Sequence, residues 1–350
     1  MTIHVGILGG GGISDTHARA ATEIPGVEVA AVHGDNAEKA RRLAAAHQVP
    51  DYPSLQAFLR HRPMDVVAIG SPSGCHSEET VACARAGLHV LVEKPMAVTA
   101  EDAEKAIEAC DAAGVRLGVF FQDRLQPDLV RLKAFLDASG LGRILLVTAQ
   151  VKWHRPPEYY SASRWRGTWA LDGGGAVMNQ GIHTLDLMLH LLGDVATVSG
   201  RTGALRHAIE VEDTAVATLE FRSGALATFE ATTAAYPGYK RRLEISGERG
   251  TVVVEHDRVI VADLAPGSPP FAASPAAAVG ESAASHVVSD GTPHRRIFED
   301  FLRALRDGAR PICDGREGRR SVELVRALYD SARTGAAVTL PPPATKPGAV

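Results

Sequence analysis

From residue 3 to about residue 120 the chain alternates short β-rich runs with amphipathic stretches of helical length. The first run, Ile3–Leu8, ends in Gly9-Gly10-Gly11-Gly12-Ile13-Ser14. That order constrains the fold more than any other feature, because strands joined by helical crossovers pair in parallel and need helices on both faces of their sheet. Strands are expected at Ile3–Leu8, Val27–Val32, Val66–Ile69, His89–Val92 and Arg116–Phe120, with helices that include Ala37–His47 and Thr99–Ala113. Thr99 can cap the latter, and Glu101 and Asp102 place negative charge in its first turn, where the helix dipole favours it. The fold class is α/β, opening with a doubly wound domain.

The sequence strand, G-x-G-x-x-small, helix lets backbone N–H groups approach a pyrophosphate at a helix N-terminus, with Ser14 replacing the usual third glycine. Gly9, Gly11, Gly12, Ile13 and Ser14 are the candidate contacts. A glycine-rich turn packed on a neighbour is the plain alternative, and the position in the first βα unit favours the dinucleotide. After the second strand comes His33-Gly34-Asp35-Asn36, where Asp35 is placed to accept hydrogen bonds from a ribose. Its charge repels a 2′-phosphate and favours NAD over NADP, tempered by the room Gly34 leaves and by Lys39, Arg41 and Arg42 close by in sequence.

The apolar run Leu88–Val92 ends in Glu93-Lys94-Pro95. The residue before a proline is pushed toward extended geometry, and the proline donates no hydrogen bond, so the strand stops and the Lys94 ammonium points beyond it.

After Phe121 the pattern changes. A helix is expected near Pro127–Ala138, a strand at Ile144–Trp153, an irregular aromatic stretch to Gly175 and a helix at Ala176–Leu192. Runs at Thr214–Phe221, Ala225–Thr232, Lys240–Ser246 and Gly250–Glu255, with turn signals between them, argue for a mostly antiparallel sheet. Residues 264–290 read as a long loop, and helices near Pro293–Asp307 and Gly315–Thr334 close the chain. The expected domains are 1–122 and 123–340, with a flexible tail at 341–350.

In Ala176–Leu192 an apolar stripe of Leu185, Met188, Leu189 and Leu192 packs, while Asn179, His183 and Asp186, four and three residues apart, share another face. Asp172-Gly173-Gly174-Gly175 just before it brings backbone close to something. His183 and His190 are about 10 Å apart along a helix axis, too far for one metal ion. The stretches Trp153–Tyr160 and Arg164–Trp169 hold all three tryptophans of a chain with 5% aromatic residues. Such rings, with their arginines, suit a carbohydrate, or equally a packed loop or subunit contact.

At 350 residues, 45% hydrophobic and 22% charged, the chain is long enough for two cores. A net charge of −4 gives no reason to expect nucleic acid, and Lys240-Arg241-Arg242 and Arg319-Arg320 read as solvated faces. Four cysteines, Cys75, Cys83, Cys110 and Cys313, without CxxC pairing, fit reduced thiols in the cytoplasm and no metal site. No run approaches the roughly 20 apolar residues of a membrane span.

The glycine loop, Ser71-Pro72-Ser73 with His76, Glu93-Lys94-Pro95 and Gly181-x-His183-x-x-Asp186 together resemble the Gfo/Idh/MocA family of NAD(P)-dependent oxidoreductases over nearly the whole chain. The resemblance implies a Rossmann domain followed by an α/β domain whose large open sheet often mediates oligomerisation, hence a homodimer or homotetramer. It implies that Lys94 lies beside the nicotinamide and the substrate hydroxyl, often ahead of a cis Lys-Pro bond, and that His183 accepts the proton. Ser71, Pro72, Ser73, His76 and Glu93 match positions that line the cofactor, and Gln122 matches one near nicotinamide and substrate.

The chain departs from cyclitol-oxidising members at Asn179, where they carry an aspartate. An amide cannot take a proton, so His183 would act with Lys94 alone and Asn179 would position a sugar hydroxyl. The implied activity is oxidation or reduction of a secondary alcohol on a sugar, cyclitol or sugar nucleotide, with Arg155, Tyr159, Trp165 and Asp186 as further substrate contacts. A glycoside-cleaving enzyme that oxidises transiently, or a non-catalytic NAD(P)-responsive regulator, would keep the same fold.

Overall fold

The computed structural model describes residues 2–275 and 290–342, which group into two compact units. Within those residues the first unit comprises 2–126, 163–174 and 290–322, and the second 127–162, 175–275 and 323–342.

The first unit begins β1 (Ile3–Leu8), α1 (Gly12–Thr22), β2 (Val27–His33), α2 (Ala37–His47), β3 (Asp51–Tyr52), α3 (Leu55–Leu59) and β4 (Val66–Ile69). It continues α4 (His76–Arg85), β5 (His89–Glu93), α5 (Ala100–Ala113) and β6 (Leu117–Phe120), with single 3₁₀ turns at Ser73–Cys75 and Gln122–Leu125. Its six strands pair in parallel in the order β3-β2-β1-β4-β5-β6. β4 and β6 are buried along their whole length, as strands covered on both faces must be. Asn36, Ser54 and Thr99 cap α2, α3 and α5 by accepting backbone N–H bonds, which satisfies donors the helices leave open.

The second unit carries α6 (Pro127–Asp137), β7 (Ile144–Lys152), α7 (Pro157–Ser161), a π-helical turn at Ala176–Gly181, α8 (Ile182–Leu192), β8 (Val195–Gly203) and β9 (Thr214–Phe221). It continues β10 (Leu226–Thr232), β11 (Arg242–Gly247), β12 (Gly250–Glu255) and β13 (Arg258–Leu264). α9 (Thr292–Asp307) follows in the first unit, α10 (Gly315–Thr334) starts there and ends in the second, and β14 (Val338–Thr339) completes the described chain. The eight-stranded sheet runs β13-β12-β11-β7-β10-β9-β8-β14 and is antiparallel except for the β7–β10 pair.

Three segments expected in the second domain, 123–126, 163–174 and 290–322, belong to the first unit. α9 presents Ile297, Phe298, Phe301 and Leu302 to the core that also holds Val5, Ile7, Leu91 and Phe120. At about 2 kcal/mol per fully buried large apolar side chain, that face fixes where the helix docks. Residues 163–174 join through Gly74, whose N–H donates to Leu171 O at 2.8 Å.

Several elements escaped the sequence reading. α4 buries small or polar residues, Ser77, Thr80, Cys83 and Ala84, so it shows no apolar stripe. β8 buries Val195, Val198 and Gly200 among polar residues, and β3 and β14 are two residues each. β13 was assigned to no element. Of the expected 264–290 loop, residues 276–289 lie outside the described residues, as does the tail from 343. Among the described residues no helix is long and apolar enough to cross a membrane.

Candidate active site

In the first unit the glycine loop divides its labour. Gly9, at φ +127°, lies against Ser14 and Gly70, and a β-carbon there would sit 2.7 Å from the Gly70 carbonyl oxygen. Gly10 lies against Ala40. A β-carbon on Gly11 or Gly12 would meet nothing within 4 Å, and no side chain caps α1 at Gly11. Uncapped N–H donors beside open space fit a pyrophosphate. Ser14 is buried with its Oγ donating to Gly70 O at 3.3 Å, so it can reach a ligand only through its backbone. Gly34 packs closely on the glycine loop, where a β-carbon would lie 3.0 Å from the Gly9 carbonyl carbon. Asp35 itself is exposed just beyond β2.

Beyond β4, Ser71 Oγ donates to the Glu79 carboxylate. Burial pushes Glu79 up to about 8, with Asp35 and Glu78 adding to the effect. Pro72 is half-buried and Ser73 buried at the 3₁₀ turn. His76 was expected to line the cofactor, but it is buried, with Nδ1 2.7 Å from Pro95 O and Nε2 2.9 Å from Ser71 O. It braces the loop after β4 against the residue after Lys94. Both bonds can be made together only by the doubly protonated ring, while burial pulls its pKa down.

Glu93 was also expected to line the cofactor and is likewise buried, bonded within the protein. Lys94, next along and ahead of a cis bond to Pro95, is half-buried. Burial lowers its pKa, against the carboxylates of Glu93, Asp172 and Asp123 and with the help of the Arg166 guanidinium. Asp172 is buried and accepts from Gly167 N at 2.9 Å. Gln122 opens the 3₁₀ turn after β6, and its buried Oε1 finds no partner among the described residues. Trp165 lies in this unit, its ring 5.2 Å from the Arg166 guanidinium carbon.

In the second unit the π-helical turn places Asn179, and α8 places His183, both half-buried. The expected uniform α-helix is therefore corrected at its start, where wider turns mark a strained and frequently functional segment. Asp186 is 0% exposed. It cannot touch a substrate and acts within the fold. Glu212 anchors the turn: its carboxylate accepts from Gly175 N, from Val177 N at 2.8 Å and from Tyr329 OH at 2.9 Å. Negative charge at that end also suits the helix dipole.

Gln180 Nε2 donates to Tyr159 OH at 3.0 Å and to Asn179 Oδ1 at 3.3 Å, linking two expected substrate residues through a third that sequence reading passed over. Arg155 is buried with its guanidinium carbon 5.1 Å from the Trp153 ring and 5.4 Å from Tyr159. The arginine thus covers the chain's own rings. Trp153 is in the second unit, and Trp165 and Trp169 are in the first.

A parallel sheet with a glycine loop and a lysine at the lip of β5, and a second unit that carries a histidine on α8 and a large mixed sheet, define a pyridine-nucleotide oxidoreductase class. Residues 3–121 match the oxidoreductase family's NAD-binding Rossmann fold, and residues 129–253 match the GFO/IDH/MocA C-terminal domain. D-xylose 1-dehydrogenase (NADP(+)) 2 of Haloferax volcanii is 31% identical, over 96% of this chain and 99% of that one. The WlbA dehydrogenase of Bordetella pertussis, solved with NADH and UDP-GlcNAcA, is 36% identical over 97% and 99% of the two chains, with a TM-score of 0.87. The Chromobacterium violaceum WlbA, solved with the same two ligands, is 33% identical with a TM-score of 0.87, over 97% and 96%. The chain belongs to the GFO/IDH/MocA family of oxidoreductases.

Sequence reading missed His17, Glu79, Asp123, Arg166, Glu212 and His294. His17 falls one helical turn beyond Ile13 and Ser14 on α1, a position that a search for polar residues on the sheet-facing side of that helix would have found.

Proposed function

We propose that the protein oxidises or reduces a secondary alcohol of a sugar or sugar nucleotide, with Lys94 and His183 acting on the reacting hydroxyl. The observation that carries this reading is Lys94 itself, a cation drawn partly out of water at the end of a buried strand and braced on both sides by Glu93 and the His76–Pro95 bond. A cation so fixed stabilises a developing alkoxide without reorganising. His183 takes the hydroxyl proton, and Asn179 orients the sugar. The backbone of Gly11, Gly12 and Ile13, with Asp35 and Ser71, holds the dinucleotide, whose nicotinamide supplies the hydride-accepting carbon. Asp35 favours NAD.

Support for the substrate class comes from the relatives, one named for D-xylose and two solved with UDP-GlcNAcA. The exposed face of the large sheet, with Leu146 beside Leu226 in register, is offered as the contact of a homodimer or homotetramer. The four cysteines, in no disulfide among the described residues, suit a cytoplasmic setting.

The test is a screen of aldoses, cyclitols and UDP-linked sugars, including uronic acids, with NAD and NADP separately, following reduced-cofactor absorbance. Turnover of a sugar or UDP-sugar supports the reading. Tight NADH binding with no turnover of any alcohol, in either direction, rejects it.

A further inference from the structure

We propose that His17, Glu93 and His294 form a buried counter-ion of single negative charge that fixes the charge state and placement of Lys94, with the two histidines as positioning residues. The inference rests on the reading of Lys94 as the cation at the reacting hydroxyl.

Glu93 ends β5 with 6% of its surface exposed, where an unpaired carboxylate would be costly. Its Oε1 lies 3.0 Å from His17 Nε2, on α1, and 3.4 Å from His294 Nε2, on α9. Its Oε2 accepts the Lys94 backbone N–H at 3.1 Å. A carboxylate oxygen can only accept, so both imidazoles donate from Nε2. Their Nδ1 atoms are buried and find no partner among the described residues. A buried acceptor left idle costs less than a buried charged donor, so both rings are neutral and the triad carries one negative charge. His17 lies against the Phe120 ring, 4.3 Å away and inclined by 12°, and edge-on to Phe298.

The titration directions agree. Burial lowers His17 and keeps it neutral. Burial opposes ionisation of Glu93, yet the two imidazole bonds hold its carboxyl well below the usual range. The resulting charge adjoins Lys94, which also faces Asp172, Asp123 and Arg166, with His76 near both Glu93 and Lys94. Among the described residues these three side chains are also the group whose ligand atoms all lie within 4.8 Å of one another, but the His17 to Glu93 spacing is that of a hydrogen bond.

The experiment measures the pH dependence of acetylation of Lys94 by acetic anhydride, read by peptide mass spectrometry on the full-chain protein without substrate. Glu93→Gln is expected to move the midpoint of reactivity down by about one pH unit or more, because a neighbouring opposite charge supports the ammonium. His294→Leu should move it the same way, whereas His294→Gln, whose amide still donates, should stay within about 0.3 unit of the unaltered protein.

A midpoint unmoved by Glu93→Gln overturns the proposal. So does His294→Gln shifting as far as His294→Leu, or a stoichiometric divalent metal in the purified protein that His294→Leu loses. Should Glu93→Gln fail to fold, the two His294 variants decide. Acetylation needs no turnover, so an enzyme inactive on every alcohol would sink the dehydrogenase reading and leave this result standing.

Discussion

A β-carbon on Gly175 would sit 1.8 Å from the carbonyl oxygen of Glu212, and the Glu212 carboxylate in turn accepts the Gly175 N–H. The pair sets the start of the π-helical turn on which Asn179 rides. Gly175→Ala is expected to yield little folded protein, since backbone on both sides must move. Glu212→Gln keeps the shape but loses charge at the helix start and strength in three hydrogen bonds. It should cost about 2 kcal/mol and reduce kcat more than it raises KM. Denaturant titration and steady-state kinetics check both.

The glycines of the loop should separate by role. Gly9→Ala forces a side chain into a φ of +127° against Gly70, and a loss of about 1–3 kcal/mol is expected. Gly12→Val fills open space, so its melting temperature should stay near that of the parent while NADH affinity falls at least about tenfold, with the lost access to N–H donors. Equal destabilisation by both would refute the division.

Lys94→Met removes the cation and keeps the apolar stem. Turnover should fall by about 10²–10³, with NADH affinity changed less than about threefold, as measured by fluorescence titration and single-turnover kinetics.

Stability should depend on pH with a defined sign. Burial lowers His17, so near and below its ordinary value of 6.5 the unfolded chain binds protons that the folded one refuses. Stability therefore falls as pH drops through that window. Glu93, held below its ordinary value of 4.5 despite burial, stabilises above that value and loses the contribution as pH falls further. Glu79, raised by burial to about 8 from 4.5, works in the opposite sense, because the folded chain keeps a proton that the unfolded chain has lost as pH climbs between those values. Glu79→Gln should raise the melting temperature by about 2 °C on the alkaline side and little in acid. Calorimetry across pH tests each sign.

The parallel sheet was legible because its signals are local: apolar runs, a glycine turn, Thr99 before a helix. β1, α2, β9, β12 and α10 match the residues expected. Lys94 and His183 stand out in the sequence through motifs, whereas the residues packed around Lys94 and the turn ahead of His183 do not. Glu212 and His294 are joined to Gly175 and Glu93 across 37 and 201 positions of chain, and no local pattern links such partners. The π-helical turn was missed because one extra residue per turn barely alters an apolar periodicity. The same spacing argument that put Asp186 with Asn179 and His183 could not say which side of the helix the core would claim.

The placement of α9 has a consequence for how the molecule is made. β1 to β6 leave the ribosome long before Ile297, Phe298, Phe301 and Leu302 exist, so the nascent sheet must wait through the roughly 170 residues between β6 and α9 without that cover. Truncation ahead of α9 removes Ile297, Phe298, Phe301 and Leu302 from that core and bares to water the apolar side chains they cover.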